Sequence, residues 1–197
     1  MYELVLLKSI NADMIDTLVK MDNATFPPED WIKKDEAEML YNAKQDSVTI
    51  LYENKKSIGF VTAFLINENL VRKAIEKDTP IYQLLDSINL SDEKNDAVYI
   101  HCFLILPEYR NKDLIYALYK GLGIWLKENA NADFSVYAEA VSEEGINCLG
   151  RIDFKTIHTY EDTCLLQKNK VSSLIESLAS VTENKDWLDN FYILPCL

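Results

Sequence analysis

The sequence is poor in the residues from which common ligand-binding signatures are built. Glycine occurs five times in 197 residues. No G-x-G-x-x-G phrase follows a strand-like run and no P-loop is present, which argues against a dinucleotide-binding doubly wound fold and a P-loop nucleotidase. Basic residues are scarce too: 20 Lys and Arg against 32 Asp and Glu give a formal net charge of −12. Nucleic acid and anionic membranes, which need clustered positive charge, are therefore not expected partners. Such acidity suits a cationic amine substrate, and it serves solubility equally well. The four cysteines, Cys102, Cys148, Cys164 and Cys196, stand far apart with no C-x-x-C spacing. Neither a metal site nor a disulfide framework is indicated, and reduced thiols are expected. No apolar run approaches the ~20 residues of a membrane span. The start, Met1-Tyr2-Glu3-Leu4, lacks the basic residues and apolar core of a signal peptide. The expectation is a soluble cytoplasmic protein.

What the sequence does have is apolar residues, 48% of the total, enough for the core of one domain. The longest concentration is Ala97-Val98-Tyr99-Ile100-His101-Cys102-Phe103-Leu104-Ile105-Leu106. A run of this length rich in β-branched and aromatic residues reads as a strand buried on both faces. Pro107-Glu108-Tyr109-Arg110 stops it, a polar turn follows, and Leu114, Leu118, Leu122 and Trp125 recur at helical spacing. Gly121 and Gly123 inside that helix each cost about 1 kcal/mol relative to Ala, which makes sense if the helix backbone lies close against a sheet.

The rest of the chain follows by pattern. Residues 2–8 read as a strand and 14–21 as a helix capped by Ser9 or Asn11. Pro27-Pro28 breaks that helix, and the 26–32 connection is a candidate substrate loop before a second helix over 35–43. Residues 47–53 and 58–66 form a hairpin about Asn54-Lys55-Lys56, and 67–96 is an insertion with one or two short helices around Pro80. Residues 133–141 predict a strand, Ser142-Glu143-Glu144 a capped helix start, and 154–160 with 163–167 a closing hairpin. A last helix over 171–181 leads to the apolar end 187–197, too apolar to hang in water, which docks on its own domain or on a second copy as a homodimer. No internal repeat or low-complexity linker is seen.

The phrase Ile105-Leu106-Pro107-Glu108-Tyr109-Arg110-Asn111-Lys112-Asp113-Leu114-Ile115 resembles the cofactor-binding strand, loop and helix of the GNAT superfamily of N-acetyltransferases. There a V-x-P-x-x-R-G-x-G-x-G/A phrase offers backbone N–H groups to the pyrophosphate of acetyl-CoA. Asn111, Asp113 and Ile115 stand where the family usually has glycine or alanine. A weaker resemblance covers 142–154, similar to N-x-x-A-x-x-L-Y-E-K-L-G-F, with Ser142 at the asparagine and Leu149 at the tyrosine that usually protonates the departing thiolate. The order of elements fits over 4–167.

The resemblance implies an α/β (α+β) fold with a mixed, mostly antiparallel central sheet flanked by helices. It implies a GNAT-like domain over 1–167, with the C-terminal helix and apolar tail of 168–197 packed on it or on a partner. It also implies transfer of an acyl group from acetyl-CoA, as co-substrate, to a primary amine of a small molecule or peptide. The backbone at Phe103 and Ile105 would polarise the carbonyl, and Arg110, Asn111, Lys112, Asp113, Leu114 and Ile115, with Ser142, would hold the cofactor. His101, which shares a face with Tyr99 and Phe103, is a candidate base or a core histidine. Glu139 is a second candidate, in a position where the family's strands splay apart to admit pantetheine, or else paired with a basic residue on a covering helix. Arg110 fits phosphate recognition, or is simply exposed after a strand. Cys102 and Cys148 read as small core residues. The alternative function is a non-catalytic GNAT-fold binding or regulatory module, to which the missing glycines and tyrosine point.

Overall fold

The computed structural model describes residues 2–28, 31–44, 47–85, 94–183, 185, 188 and 192–195. The long apolar run forms β4 (Ala97–Ile105), in which Val98, Ile100 and Leu104 are each at most 2% exposed. Among the described residues it lies inside an eight-stranded sheet of order β6 (Lys155–Thr159), β7 (Cys164–Lys168), β5 (Ser135–Ala140), β4, β3 (Lys56–Ile66), β2 (Val48–Glu53), β1 (Tyr2–Leu6) and β8 (Tyr192–Pro195). Two neighbouring pairs are parallel, β4 with β5 (Ser135–Ala140) and β1 (Tyr2–Leu6) with β8 (Tyr192–Pro195). The pairs β1–β2, β2–β3, β5–β7 and β6–β7 are antiparallel, so the sheet is mixed and mostly antiparallel. Two compact units share β3 (Lys56–Ile66), β4 and α5 (Ile115–Asn129), each contributing a segment to both.

The first unit comprises Met1–Thr62, Cys102–Leu122 and Thr182–Leu197. In α1 (Ala12–Asn23) Ile15, Leu18 and Met21 make the buried stripe, and Asn11 is the cap, its side chain accepting from Met14 N at 2.9 Å. The helix closes where the Thr25 and Phe26 amides return to Asp22 O. Asp22 also accepts from Ile32 N at 3.1 Å, tying down the connection to α2 (Lys34–Ala43); Glu29 and Asp30 of that connection lie outside the described residues. β2 (Val48–Glu53) turns into β3 through Asn54 and Lys55, both with positive φ (49° and 67°). That is the primed-turn geometry that matches the twist of the strands.

The chain end returns to this unit. Leu188 is buried, its carbonyl accepts from Lys120 Nζ at 3.1 Å, and Lys185 Nζ lies 4.5 Å over the Tyr116 ring. β8 then pairs with β1 from Glu3↔Tyr192 to Leu6↔Pro195. Trp187, Asp189, Asn190, Phe191, Cys196 and Leu197, also part of the apolar end, lie outside the described residues.

The second unit comprises Ala63–His101 and Gly123–Val181. The insertion forms two helices, α3 (Glu68–Glu76), capped by Asn67, and the single turn α4 (Ile81–Leu84), which starts directly after Pro80; residues 86–93 of the insertion, Ile88 among them, lie outside the described residues. α6 (Glu143–Gly150) starts at Ser142, whose hydroxyl accepts from Gly145 N at 3.1 Å. β6 (Lys155–Thr159) and β7 (Cys164–Lys168) form the closing hairpin, and α7 (Val171–Thr182) follows. Residues 168–181 thus group with this unit and 182–197 with the other. Among the described residues no helix is long and apolar enough to cross a membrane.

The two glycines of α5 have different surroundings. A Cβ on Gly121 would stand 2.6 Å from Thr49 Cγ2 and 3.2 Å from Leu4 Cδ2, so here the helix does lie against the sheet. A Cβ on Gly123 would meet only Leu178 Cδ1, at an ordinary 3.7 Å. Gly121→Ala is therefore expected to lower the stability by ~1–3 kcal/mol through overpacking. Gly123→Ala should raise it by up to ~1 kcal/mol through helix propensity. Denaturant unfolding of the two variants checks the opposite signs.

Candidate active site

In the β4–β5 ladder the pairs run from Ala97↔Ser135 to Ile100↔Ala138, and β4 continues five residues beyond its last pair. Against β3, the Asp96 amide bonds Ile66 O and the Leu106 amide bonds Ile58 O. From Asp96 to Leu106 is ten residues, while from Ile66 to Ile58 is eight, so β4 bulges by two residues against its neighbour. Since alternate amides of a strand point to opposite edges and Leu106 N–H points to β3, Ile105 N–H points away from β3. A strand that keeps its apolar core contacts yet presents backbone amides along one edge is a ready donor set for a ligand.

The turn after β4 belongs to the first unit. Pro107–Lys112 form a 3-10 helix, and Asp113 follows in the left-handed region (φ 57°, ψ 13°). That conformation is natural to glycine and tolerated by Asp, which explains how Asp113 can stand at a glycine position of the GNAT phrase. Its carboxylate is exposed. Arg110 is exposed as well, and its Nε donates to Ile105 O at 3.2 Å, fixing the guanidinium beside the end of β4. Leu114 and Ile105 bury their side chains, so only their backbone can face a cofactor. Phe103 stacks edge-on with Tyr119 at 5.4 Å, and Ile115, half-buried, opens α5. The side chains of Asn111 and Lys112 lie outside the described residues. As a phosphate cradle, a left-handed turn at the head of a fifteen-residue helix with an adjacent guanidinium has suitable donors. Asp113 is an opposing charge at its head, and Glu108, exposed on the 3-10 helix, is a second.

The second unit holds the candidate proton carriers. Glu139 accepts hydrogen bonds from Ile81 N at 2.6 Å, Tyr82 N at 3.2 Å and Tyr99 OH at 2.7 Å. Its partners are thus two amides and a phenol, whereas one of the two readings of the sequence paired it with Lys or Arg on a covering helix. Burial raises its pKa, and the three hydrogen bonds oppose the rise without cancelling it. His101 lies between Phe64 and Tyr99, with ring centroids 5.5 and 6.0 Å away. Its Nδ1 is buried with no hydrogen-bond partner among the described residues, and burial lowers its pKa to about 4. The imidazole is therefore neutral near pH 7, and so low a pKa makes it a feeble base. Ser142 spends its hydroxyl on the helix cap.

Sequence reasoning missed the phenols. Tyr137, on the same face as Tyr99, donates to Glu68 Oε1 at 2.6 Å, and burial takes its pKa to about 12. Tyr160 is 5% exposed, and its hydroxyl has no partner among the described residues. A period-two reading of β5 could have found Tyr137 beside Glu139; Tyr160 follows β6 and carries no such signal. Cys102 is buried, its thiol pKa raised by burial and by the charge of Asp22, as befits an unreactive core residue.

The depressed His101 pKa has a consequence for acid stability. Between pH 6.5 and 4 the unfolded chain binds a proton at this residue that the folded chain refuses, so stability falls as the pH falls through this window. The loss amounts to about 3 kcal/mol over the whole interval. His101→Gln removes it, so the stability difference between pH 7 and pH 4.5 should shrink by about 2–3 kcal/mol in the variant, measured by denaturant unfolding at the two pH values.

No protein-family model and no curated protein matches the sequence. Solved structures match the fold. The loading GNATL domain of CurA from Lyngbya majuscula superimposes with a TM-score of 0.63 at 14% identity, covering 87% of this chain and 98% of that one. Mosquito arylalkylamine N-acetyltransferase like 5b gives 0.60 at 14% identity, with 85% and 99% covered. PaiA N-acetyltransferase from Thermoplasma acidophilum, solved in complex with coenzyme A, gives 0.55 at 12%, with 86% and 99% covered. At these identities the likeness is one of fold.

Proposed function

Starting from a chain with the fold of the GNAT N-acetyltransferases, we propose that it transfers an acetyl group from acetyl-CoA to a primary amine of a small molecule or peptide. The observation that carries this reading is the course of β4, which runs from Ile100 to Ile105 beyond its last β5 pair. The free edge, with Ile105 N–H directed along it and Phe103 two residues earlier, supplies donors for a carbonyl on which negative charge develops. Arg110 and the turn from Asp113 into α5 supply donors for the phosphates. Acetyl-CoA, as co-substrate, brings the acetyl group as an activated thioester. The amine nitrogen attacks its carbonyl carbon, the C–N bond forms, the C–S bond breaks, one proton leaves the ammonium and one reaches the departing sulfur. Glu139 is the stronger proton acceptor of the two candidates, being ionisable with a raised pKa, whereas His101 sits near 4.

The observation favouring the alternative, a binding or regulatory module without transfer, is Leu149. It is 6% exposed and has no proton to give where the GNAT phrase has tyrosine. Release of free thiol from acetyl-CoA across a panel of primary amines decides the matter: amine-dependent, saturable release is expected. Saturable CoA binding with no release under any amine would favour the module.

Asp113 should limit cofactor affinity. Its carboxylate near a phosphate opposes binding, and because it is exposed the cost is nearer the ~1 kcal/mol of water than the interior value. Since φ there is already left-handed, Asp113→Gly introduces no backbone strain. The variant should bind acetyl-CoA about three- to tenfold more tightly, with the gain larger at low salt. Calorimetric dissociation constants at two ionic strengths check both statements.

A further inference from the structure

The two faces of the second unit's sheet differ in chemistry. On one, Val98, Ile100, Val136 and Ala138 are apolar and buried. On the other, Tyr99, His101, Tyr137 and Glu139 stand side by side, with Tyr99 directly opposite Tyr137 in the ladder. This polar face lies against the insertion: Tyr137 bonds Glu68 of α3, and Glu139 bonds the first two amides of α4. A face needed only for packing would be apolar like its reverse. Beyond these bonds two buried polar atoms, His101 Nδ1 and Tyr160 OH, have no partner among the described residues. The charge of Glu139 is one of the influences raising the Tyr160 pKa, which places that unpartnered phenol in the carboxylate's neighbourhood.

The ligand this face suits can be read from its chemistry. Among the described residues Glu139 has no basic partner; every donor on it is neutral. Tyr99, whose hydroxyl reaches it, begins a row of rings, Tyr99 beside His101 and His101 beside Phe64, while Tyr160 lies beside His158 at 4.7 Å. A carboxylate at the end of a row of aromatic rings that includes a neutral imidazole is a setting for an organic cation. Two amides at 2.6 and 3.2 Å on separate carboxylate oxygens occupy the positions that the N–H groups of an ammonium would take.

We propose that the face beneath α3 and α4 is the binding site for an organic ammonium ion with an aromatic or apolar substituent, and that in the ligand-free protein the Ile81 and Tyr82 amides hold its place on Glu139. This deepens the acetyl-transfer reading, with the ammonium as the acceptor, and rests on it for that role. Binding then displaces the start of α4 from the carboxylate, leaves the two amides to water, and brings the acceptor nitrogen to Glu139, the half-buried carboxylate of the unit's polar face. Tyr160 OH and His101 Nδ1 gain partners from the ligand or from water that enters with it.

The test uses the full chain with phenethylamine hydrochloride, against an equal concentration of sodium chloride. Calorimetry measures binding, and amide-resolved hydrogen exchange follows Ile81 and Tyr82. The expected result is saturable heat together with at least tenfold faster exchange of these two amides. Saturable heat with unchanged or slower exchange would overturn the displacement, and no heat would overturn the site. Acetyl transfer itself is judged separately by thiol release with other amines, so the two failures are distinguishable. Glu139→Gln keeps an acceptor for one amide and removes the charge; it should weaken phenethylamine binding at least tenfold, and wild-type affinity in the folded variant would contradict the assignment. Should Glu139→Gln not fold, the exchange measurement on the unaltered chain still decides.

Discussion

A backbone amide in a protein interior must find an acceptor, and β4 is where this obligation shapes the molecule. Its even-numbered side chains are buried in the core, so the strand cannot leave the sheet without exposing Val98, Ile100 and Leu104. Yet its pairing with β5 ends at Ile100↔Ala138, and its bulge against β3 shifts the register by two residues. A strand fixed by apolar burial while one edge is released from pairing holds its donors rigidly, which is how a binding edge is preorganised. The Arg110 bond to Ile105 O then fixes the first cationic side chain of the following turn.

The same strand joins two chemically distinct settings. In the first unit its end leads into a turn whose tools are amides, a guanidinium and a left-handed residue. In the second, its earlier residues contribute Tyr99 and His101 to a polar face where Glu139 is anchored by three neutral donors. The opposing electrostatic pressures are visible in the ionisable groups: burial pushes Glu139 up and His101 down, each toward its neutral form. A carboxylate whose pKa rises toward neutrality gains strength as a base, and an imidazole driven to about 4 loses it.

Much of this was legible in the residues. The apolar run of β4, the Asn54-Lys55 turn, the Ser142 cap and the breaks at Pro27 and Pro107 are local signals, and each element stands within a few residues of its expected place. Gly121 showed a helix lying against a sheet, although Gly123 shows that the same signal can be empty. What sequence could not supply was long-range. That Glu139 caps α4 depends on residues 58 and 57 positions away, and the Tyr137 bond to Glu68 spans 69. Nor does composition foretell that the tail returns as a strand parallel to β1, because parallel pairing leaves no turn signature.

The central claim is that the free edge of β4 and the turn after it receive CoA. Amide chemical-shift perturbation on titrating CoA into the isotope-labelled protein tests it most directly. The account predicts that the largest saturable shifts fall on Phe103, Ile105 and the amides from Asp113 to Ala117, with a common dissociation constant. Saturable shifts confined to other elements, or none at millimolar CoA, would contradict it.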